Sequence, residues 1–271
     1  THDKTPLEVA MTYFEGQCDT LRYMFFTQET GLWIGATPEL LVSFRPQPAS
    51  DDRGTISTMA LAGTRPHSSD DNEDAWDDKN VAEQQFVIRH ISSCLHDAGL
   101  DAAETQDYTL KLKNVEHICS MFTADGTLSQ ALKLREALDP TPAVGGYPTD
   151  AAIDLINFFE THERFCYAGT INIRDTDGIG FSTFVNLRSM LIAPENDGDY
   201  RSSSRYNIYV GGGITASSNP ESEWSETAGK ASLMLDALTC ENEAANTPAI
   251  TLYDQISIEA QEPSYSQSGT L

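Results

Sequence analysis

At 271 residues and 39% hydrophobic content, the chain can build one large core or two modest ones. No apolar run nears the roughly 18 residues of a membrane helix, so a soluble protein is expected. The 17 Lys+Arg against 41 Asp+Glu give a net charge of −24, which disfavours nucleic acid and anionic membranes as partners and would repel a small anionic substrate unless its site supplies cations.

Thr5-Pro6-Leu7-Glu8 reads as a helix start, with Thr5 as cap, Pro6 in the first turn and Glu8 closing a capping box. Leu7, Met11 and Phe14 would form its apolar face, and Gly16 its end. Strands are predicted at 23–27, 32–35, 40–44 and 56–61, rich in aromatic and aliphatic residues with turn residues between them. The acidic stretch SSDDNEDAWDD at 68–78 reads as a surface loop. Helical spacing of Val81, Ile88, Ile91 and Leu95 predicts a helix over 79–96. Further helices are predicted at 127–138, with Ala131, Leu134 and Leu138 inward, and at 151–160.

Strands return at 165–173 and 180–192 around the turn Asp175-Thr176-Asp177-Gly178, and at 206–210 before Gly211-Gly212-Gly213. Asn219-Pro220 caps a last helix to about 238. Residues 1–240 are therefore read as one domain, and 241–271 as an acidic, polar tail with at most a short strand at 250–253. Strands and helices come in blocks without regular βαβ alternation, which favours an α+β fold with largely antiparallel sheets. Five single cysteines (18, 94, 119, 166 and 240) indicate neither a disulfide framework nor a zinc site, but scattered thiols in a reducing cytoplasm.

In the last helix Glu223, Glu226 and Lys230 are spaced i, i+3 and i+7 on one face, beside an expected packing face of Trp224, Ala228, Ala231 and Leu235. Paired carboxylates can hold a hard divalent cation, although an exposed Glu–Lys face has the same spacing. Glu83, one or two turns into its helix, reads by itself as a surface residue. The glycine run directly after a strand allows backbone N–H groups to approach a ligand. Arg188, read as lying in an apolar strand, is costly there without an anion. No Ser/His/Asp set, P-loop or dinucleotide fingerprint is present, and Gly178-Ile179-Gly180 lacks a following helix.

The order of the motifs carries more than any one of them. GATPELL (35–41), LAGTRP (61–66), Glu83, VEH (115–117), PTPAVGGYP (140–148), YAG (167–169), Arg188, the glycine run and EWSET with Lys230 together resemble the chorismate-binding enzymes: isochorismate, salicylate, anthranilate and aminodeoxychorismate synthases. The resemblance implies two packed, largely antiparallel sheets surrounded by helices. PTPAVGGYP resembles the isochorismate synthase version, which points to Mg-dependent conversion of chorismate to isochorismate for menaquinone, siderophore or salicylate formation, with no obligate glutaminase partner. Salicylate, anthranilate and aminodeoxychorismate synthases, and a non-catalytic relative, stay open as alternatives.

The resemblance also assigns roles. Glu83 and Glu226 would hold Mg2+, with Glu223 beside them through water. Tyr167, Arg188, Lys230 and the backbone at Gly212 and Gly213 would bind the carboxylates. Gly63 would face the ring, and His117 would line the pocket near the reacting carbons. Glu39 would be the general acid for the departing C4 hydroxyl as water adds at C2, a role that needs its acidity weakened by burial or by a carboxylate neighbour. Asn172 departs from the family glycine at its position. The family's base, a lysine on an upstream strand, has no match: Lys4 is the sole lysine before Glu39 and precedes a helix cap, so the start of the domain is expected to be missing.

Overall fold

The structure, a computed structural model, describes residues 4–48, 50, 52–67, 75–105, 107–176, 178–194, 204–239 and 256–257. Most of the acidic loop and of the tail, including the strand expected at 250–253, lies outside those residues.

Thr5 accepts from Glu8 N while the Glu8 side chain returns to Thr5 N, and this capping box opens α1 (Pro6–Phe14) as the sequence predicts. Its face does not follow prediction. Val9, Ala10 and Tyr13 are buried, whereas Leu7 and Met11 are 61% and 59% exposed. The small and aromatic residues fit against α6, and the longer aliphatics point outward.

The strands β1 (Leu21–Thr27), β2 (Gly31–Thr37), β3 (Leu40–Pro46) and β4 (Arg53–Pro66) follow, then α2 (Asp78–Asp97). In α2 Ile88, Ile91 and Leu95 are buried as expected, while Val81 faces out. Next come β5 (Ala103–Glu104), β6 (Tyr108–Lys111), β7 (Val115–Thr127), α3 (Leu128–Leu138), α4 (Pro142–Gly145) and α5 (Thr149–Phe159). The chain continues through β8 (Thr170–Arg174), β9 (Phe181–Val185), β10 (Ser189–Pro194), β11 (Ser204–Tyr209), β12 (Gly212–Gly213) and α6 (Pro220–Leu238), and the short β13 (Ile256–Ser257) pairs with β12.

Two antiparallel sheets organise the molecule. The larger runs β5-β7-β4-β3-β9-β8, with β6 also on β7, and the smaller runs β1-β2-β10-β11. Trp33, Leu191 and Tyr209, from the smaller sheet, join the core built on the larger one under α2 and α3. Ile34, Met190, Ile192 and Ile208 join the second core, beneath α1 and α6. This is the α+β architecture expected from the sequence.

Two departures matter for the site. The predicted strand at 180–192 is in fact two strands in different sheets, broken at 186–188 where the chain crosses from one to the other. The first half of the strand predicted at 165–173 is a turn. Among the described residues no helix is long and apolar enough to cross a membrane, and Cys18, Cys94, Cys119 and Cys166 are free thiols.

Candidate active site

The crossing from β9 to β10 builds the heart of the site. Arg188 sits at φ 50°, a left-handed conformation that costs a residue with a Cβ of order 1 kcal/mol. Its backbone is pinned there: the Arg188 carbonyl accepts from Tyr13 OH at 2.9 Å and from Ala36 N at 3.3 Å. The turn directs a buried guanidinium into a cavity it shares with Glu39, Gly63, Glu83, His117, Tyr167, Gly212, Gly213 and Lys230. Nine residues singled out in the sequence thus line one cavity. Arg188 is not in a strand, as predicted, but at the junction that a mid-strand position could not supply.

His117 lies on β7, and its Nε2 is against Arg188 Nη2. A guanidinium only donates, so Nε2 accepts and the ring proton resides on Nδ1, which is 3.2 Å from both Gly63 O and Thr64 Oγ1. Burial first, then Arg188 and Lys230, holds His117 well below the usual histidine range. The side chain is therefore neutral and braces Arg188 against the Gly63 bulge.

Glu39 follows Thr37-Pro38 and is 2% exposed. Its Oε1 accepts from Thr141 Oγ1 at 3.2 Å. Burial outweighs that bond and the attraction of Arg188, and pushes the carboxyl up to about 7.

Gly63 stands at φ 71° in the bulge of β4 between Ala62 and Thr64. Helix α2 holds this bulge from outside. Asn80 Oδ1 accepts from Thr64 N at 2.9 Å, and Gln84 accepts from Ala62 N at 2.9 Å while donating to Ala60 O and Ser120 Oγ.

The opposite end of the cavity is acidic. A methyl group placed on Gly213 would come within 2.6 Å of Glu83 Oε1, and one on Gly212 within 3.2 Å of Glu226 Oε1 and 3.7 Å of Glu223 Oε2. A side chain at 213 would displace Glu83, and one at 212 would crowd Glu226, so the glycines let the strand lie close to these two carboxylates. Glu83 is pushed up to about 7 by burial, with Lys230 opposing and Glu226 adding to the shift. Two lysines interleave: Lys230 Nζ donates to Glu226 Oε1 at 2.7 Å and Gly211 O at 2.9 Å, and Lys79 Nζ to Glu223 Oε1 at 2.5 Å. Burial alone would lower Lys79, but Glu223, Glu83 and Glu226 outweigh it and leave it raised. Glu223 Oε2 is buried without a hydrogen-bond partner.

Oxygen donors from two helices and an orphaned carboxylate oxygen suit a hard divalent cation. Among the described residues no three such side chains form a ready-made cage, and two of the carboxylates are paired with ammonium groups, Glu223 with Lys79 and Glu226 with Lys230. Trp224, expected inward on α6, is 46% exposed, and Met234, Ala237 and Leu238 take the packing role with Ala231. Lys4 donates to Ala237 O and Thr239 O at the end of α6 and does not line the cavity. Sequence reading passed over Lys79 and Thr141. Lys79, four residues before Glu83 on one helix face, carried a usable signal; the contact of Thr141 with Glu39 spans 102 residues and carried none.

Residues 2–239 match the family described as chorismate binding enzyme. The chain belongs to that family. A salicylate biosynthesis isochorismate synthase from Pseudomonas aeruginosa is 34% identical over 219 residues, 76% of this chain and 42% of the relative. The isochorismate synthase MenF of Bacillus subtilis is 29% identical over 226 residues, 80% of this chain and 44% of the relative. Among solved structures, the menaquinone-specific isochorismate synthase MenF of Escherichia coli superposes with a TM-score of 0.68 at 24% identity, over 88% of this chain and 54% of the other, a likeness of fold. The chain spans about half the length of these relatives.

Proposed function

We propose that this chorismate-binding chain carries the core of a Mg-dependent isochorismate synthase, adding water at C2 of chorismate with loss of the C4 hydroxyl. The observation that carries the reading is Glu39, a buried carboxyl held near 7, in one cavity with Arg188 and opposite a cluster of carboxylates and lysines. The resemblance of PTPAVGGYP and the names of the relatives favour isochorismate over the amine-containing products.

Hydroxide is a poor leaving group, so the step needs a proton at the C4 oxygen as that bond breaks. Glu39 retains its proton at neutral pH in a sizeable fraction of molecules, because ionising it means placing a bare charge in a buried pocket. Thr141 fixes Oε1, which leaves the other oxygen to face the substrate. Arg188 offers its guanidinium to a carboxylate, and His117 holds it from behind. Lys230 and the backbone of Gly212 and Gly213 lie at the end where a second carboxylate would rest; with three carboxylates against two paired lysines that end is itself acidic, so a bound divalent cation would be needed to offset the repulsion there. Glu83, Glu223 and Glu226 are the residues that would hold Mg2+. That ion would neutralise a substrate carboxylate and fix its position.

The test is incubation of a form extended to the length of the relatives with chorismate and Mg2+, with products separated by chromatography. Isochorismate formed only with Mg2+ supports the reading. Salicylate plus pyruvate would redirect it to salicylate synthase, and an aromatic amine dependent on glutamine or ammonia would overturn it.

A further inference from the structure

Lys79 has no part in the roles assigned so far, yet it occupies a distinctive place. It lies one turn before Glu83 on α2 and reaches across to α6, where Nζ meets Glu223 Oε1 at 2.5 Å. Glu223 is 7% exposed, and its second oxygen, Oε2, is buried without a partner. One ammonium thus satisfies half of a carboxylate that the fold has desolvated. A buried unpaired carboxylate oxygen is costly, and a structural ion pair would be expected to leave none. A divalent ion with several oxygen ligands can engage Oε2 together with the oxygens of Glu83 and Glu226 that crowd the glycine strand.

A cation arriving there meets the ammonium at close range in a partly buried setting, where like charges repel strongly. Lys79 also lines an outer groove of about 570 Å³, which shares Glu83 with the cavity and runs along Phe86, Tyr147 and Ile214. A flexible four-carbon stem can swing into that groove without disturbing the helix. We propose that Lys79 is a latch that holds the place of the divalent cation on Glu223 and is expelled into the outer groove when the metal binds. It is a positioning residue acting through Glu223, and the proposal rests on the reading that this site takes a divalent cation. Metal uptake is then an exchange of one cation for another, and the latch weakens it.

The test compares wild type with Lys79→Met, which keeps the length and helix preference of the side chain, by calorimetric titration with Mg2+ and by Mn2+ electron paramagnetic resonance. Removing the competing ammonium should tighten binding about tenfold, the scale of one partly buried ion pair. A merely structural lysine predicts the opposite sign, because its loss would disorder Glu223. Lys79→Arg should stay at or below wild-type affinity. In a Glu223→Gln background, Lys79→Met should change nothing, because the latch has lost its partner. Equal or weaker binding by Lys79→Met, with wild type binding normally, overturns the latch and leaves the metal reading standing. No binding by either protein at millimolar Mg2+ or Mn2+ overturns both.

Discussion

The fold reshapes the acidity of Glu39 more than its neighbours in sequence do. Burial takes it from 4.5 to about 7, so the acid form dominates below that pH and is lost above it. A form of the protein that turns over chorismate should therefore slow as pH rises through about 7. Because the folded value lies above the unfolded one, the stabilising effect of the neutral carboxyl is complete below 4.5 and disappears as pH climbs to about 7. Above that, the ionised group costs the folded state on the order of 3 kcal/mol. Glu39→Gln should thus raise stability to urea at pH 8 but not at pH 4.5, and abolish turnover while leaving chorismate binding nearly intact. A Gln variant with wild-type turnover would remove Glu39 from the mechanism. The position was readable from the GATPELL motif; the acidity was not, since it arises from the burial around Glu39. His117 shows the same limit. Its neutrality follows from burial first and then from Arg188, 71 residues away, and nitrogen NMR at pH 6 should show an uncharged ring protonated at Nδ1. A charged ring at that pH would release His117 for proton transfer.

Elements acquire function here through what they clamp. Helix α2 turns Asn80 and Gln84 toward the β4 bulge and Lys79 and Glu83 toward α6, so one helix holds both the glycine loop and the acidic cluster. Gln84 is 1% exposed and makes all of its bonds to β4 and β7. Gln84→Met keeps the volume but strands Ala62 N–H and Ala60 C=O, and should cost about 2–3 kcal/mol in urea denaturation. A loss below about 0.5 kcal/mol would mean that the bulge holds itself, as a surface substitution would show. The longer helices were readable from their caps and apolar spacing, although the buried face of α1 was not, and the short α4 was not read at all. β7 was not, because its first six residues are all buried and give no alternation between faces. The β9–β10 break was hidden because both halves have strand-like composition and nothing local says that they belong to different sheets.

Across the whole molecule, the ordered motifs predicted that distant segments meet, and the two sheets explain how. β3, β4, β7 and the β9–β10 crossing bring Glu39, Gly63, His117 and Arg188 to one mouth, which α2 and α6 close with carboxylates and lysines. What this assembly contains sets its expected chemistry. On the proposed reading Glu39 is the acid, and Arg188 and Lys230 are the cations for two carboxylates. Water addition at C2 would also need a base, and the cavity's lysine and histidine are both engaged, while Glu83 is the residue proposed to hold the metal. Lys230 is tied to Glu226 and Gly211, and His117 Nε2 is taken by Arg188. The 271-residue chain should therefore bind chorismate and Mg2+ by calorimetry but form isochorismate at least 100-fold more slowly than a form extended to the length of its relatives, roughly the contribution of one general base. Binding without turnover separates a missing base from a misfolded site, because the second would lose both. Turnover by the 271-residue chain at the rate of the longer form would place the base within it. Lys230, released from Glu226 once a metal takes that carboxylate, would then be the first residue to substitute.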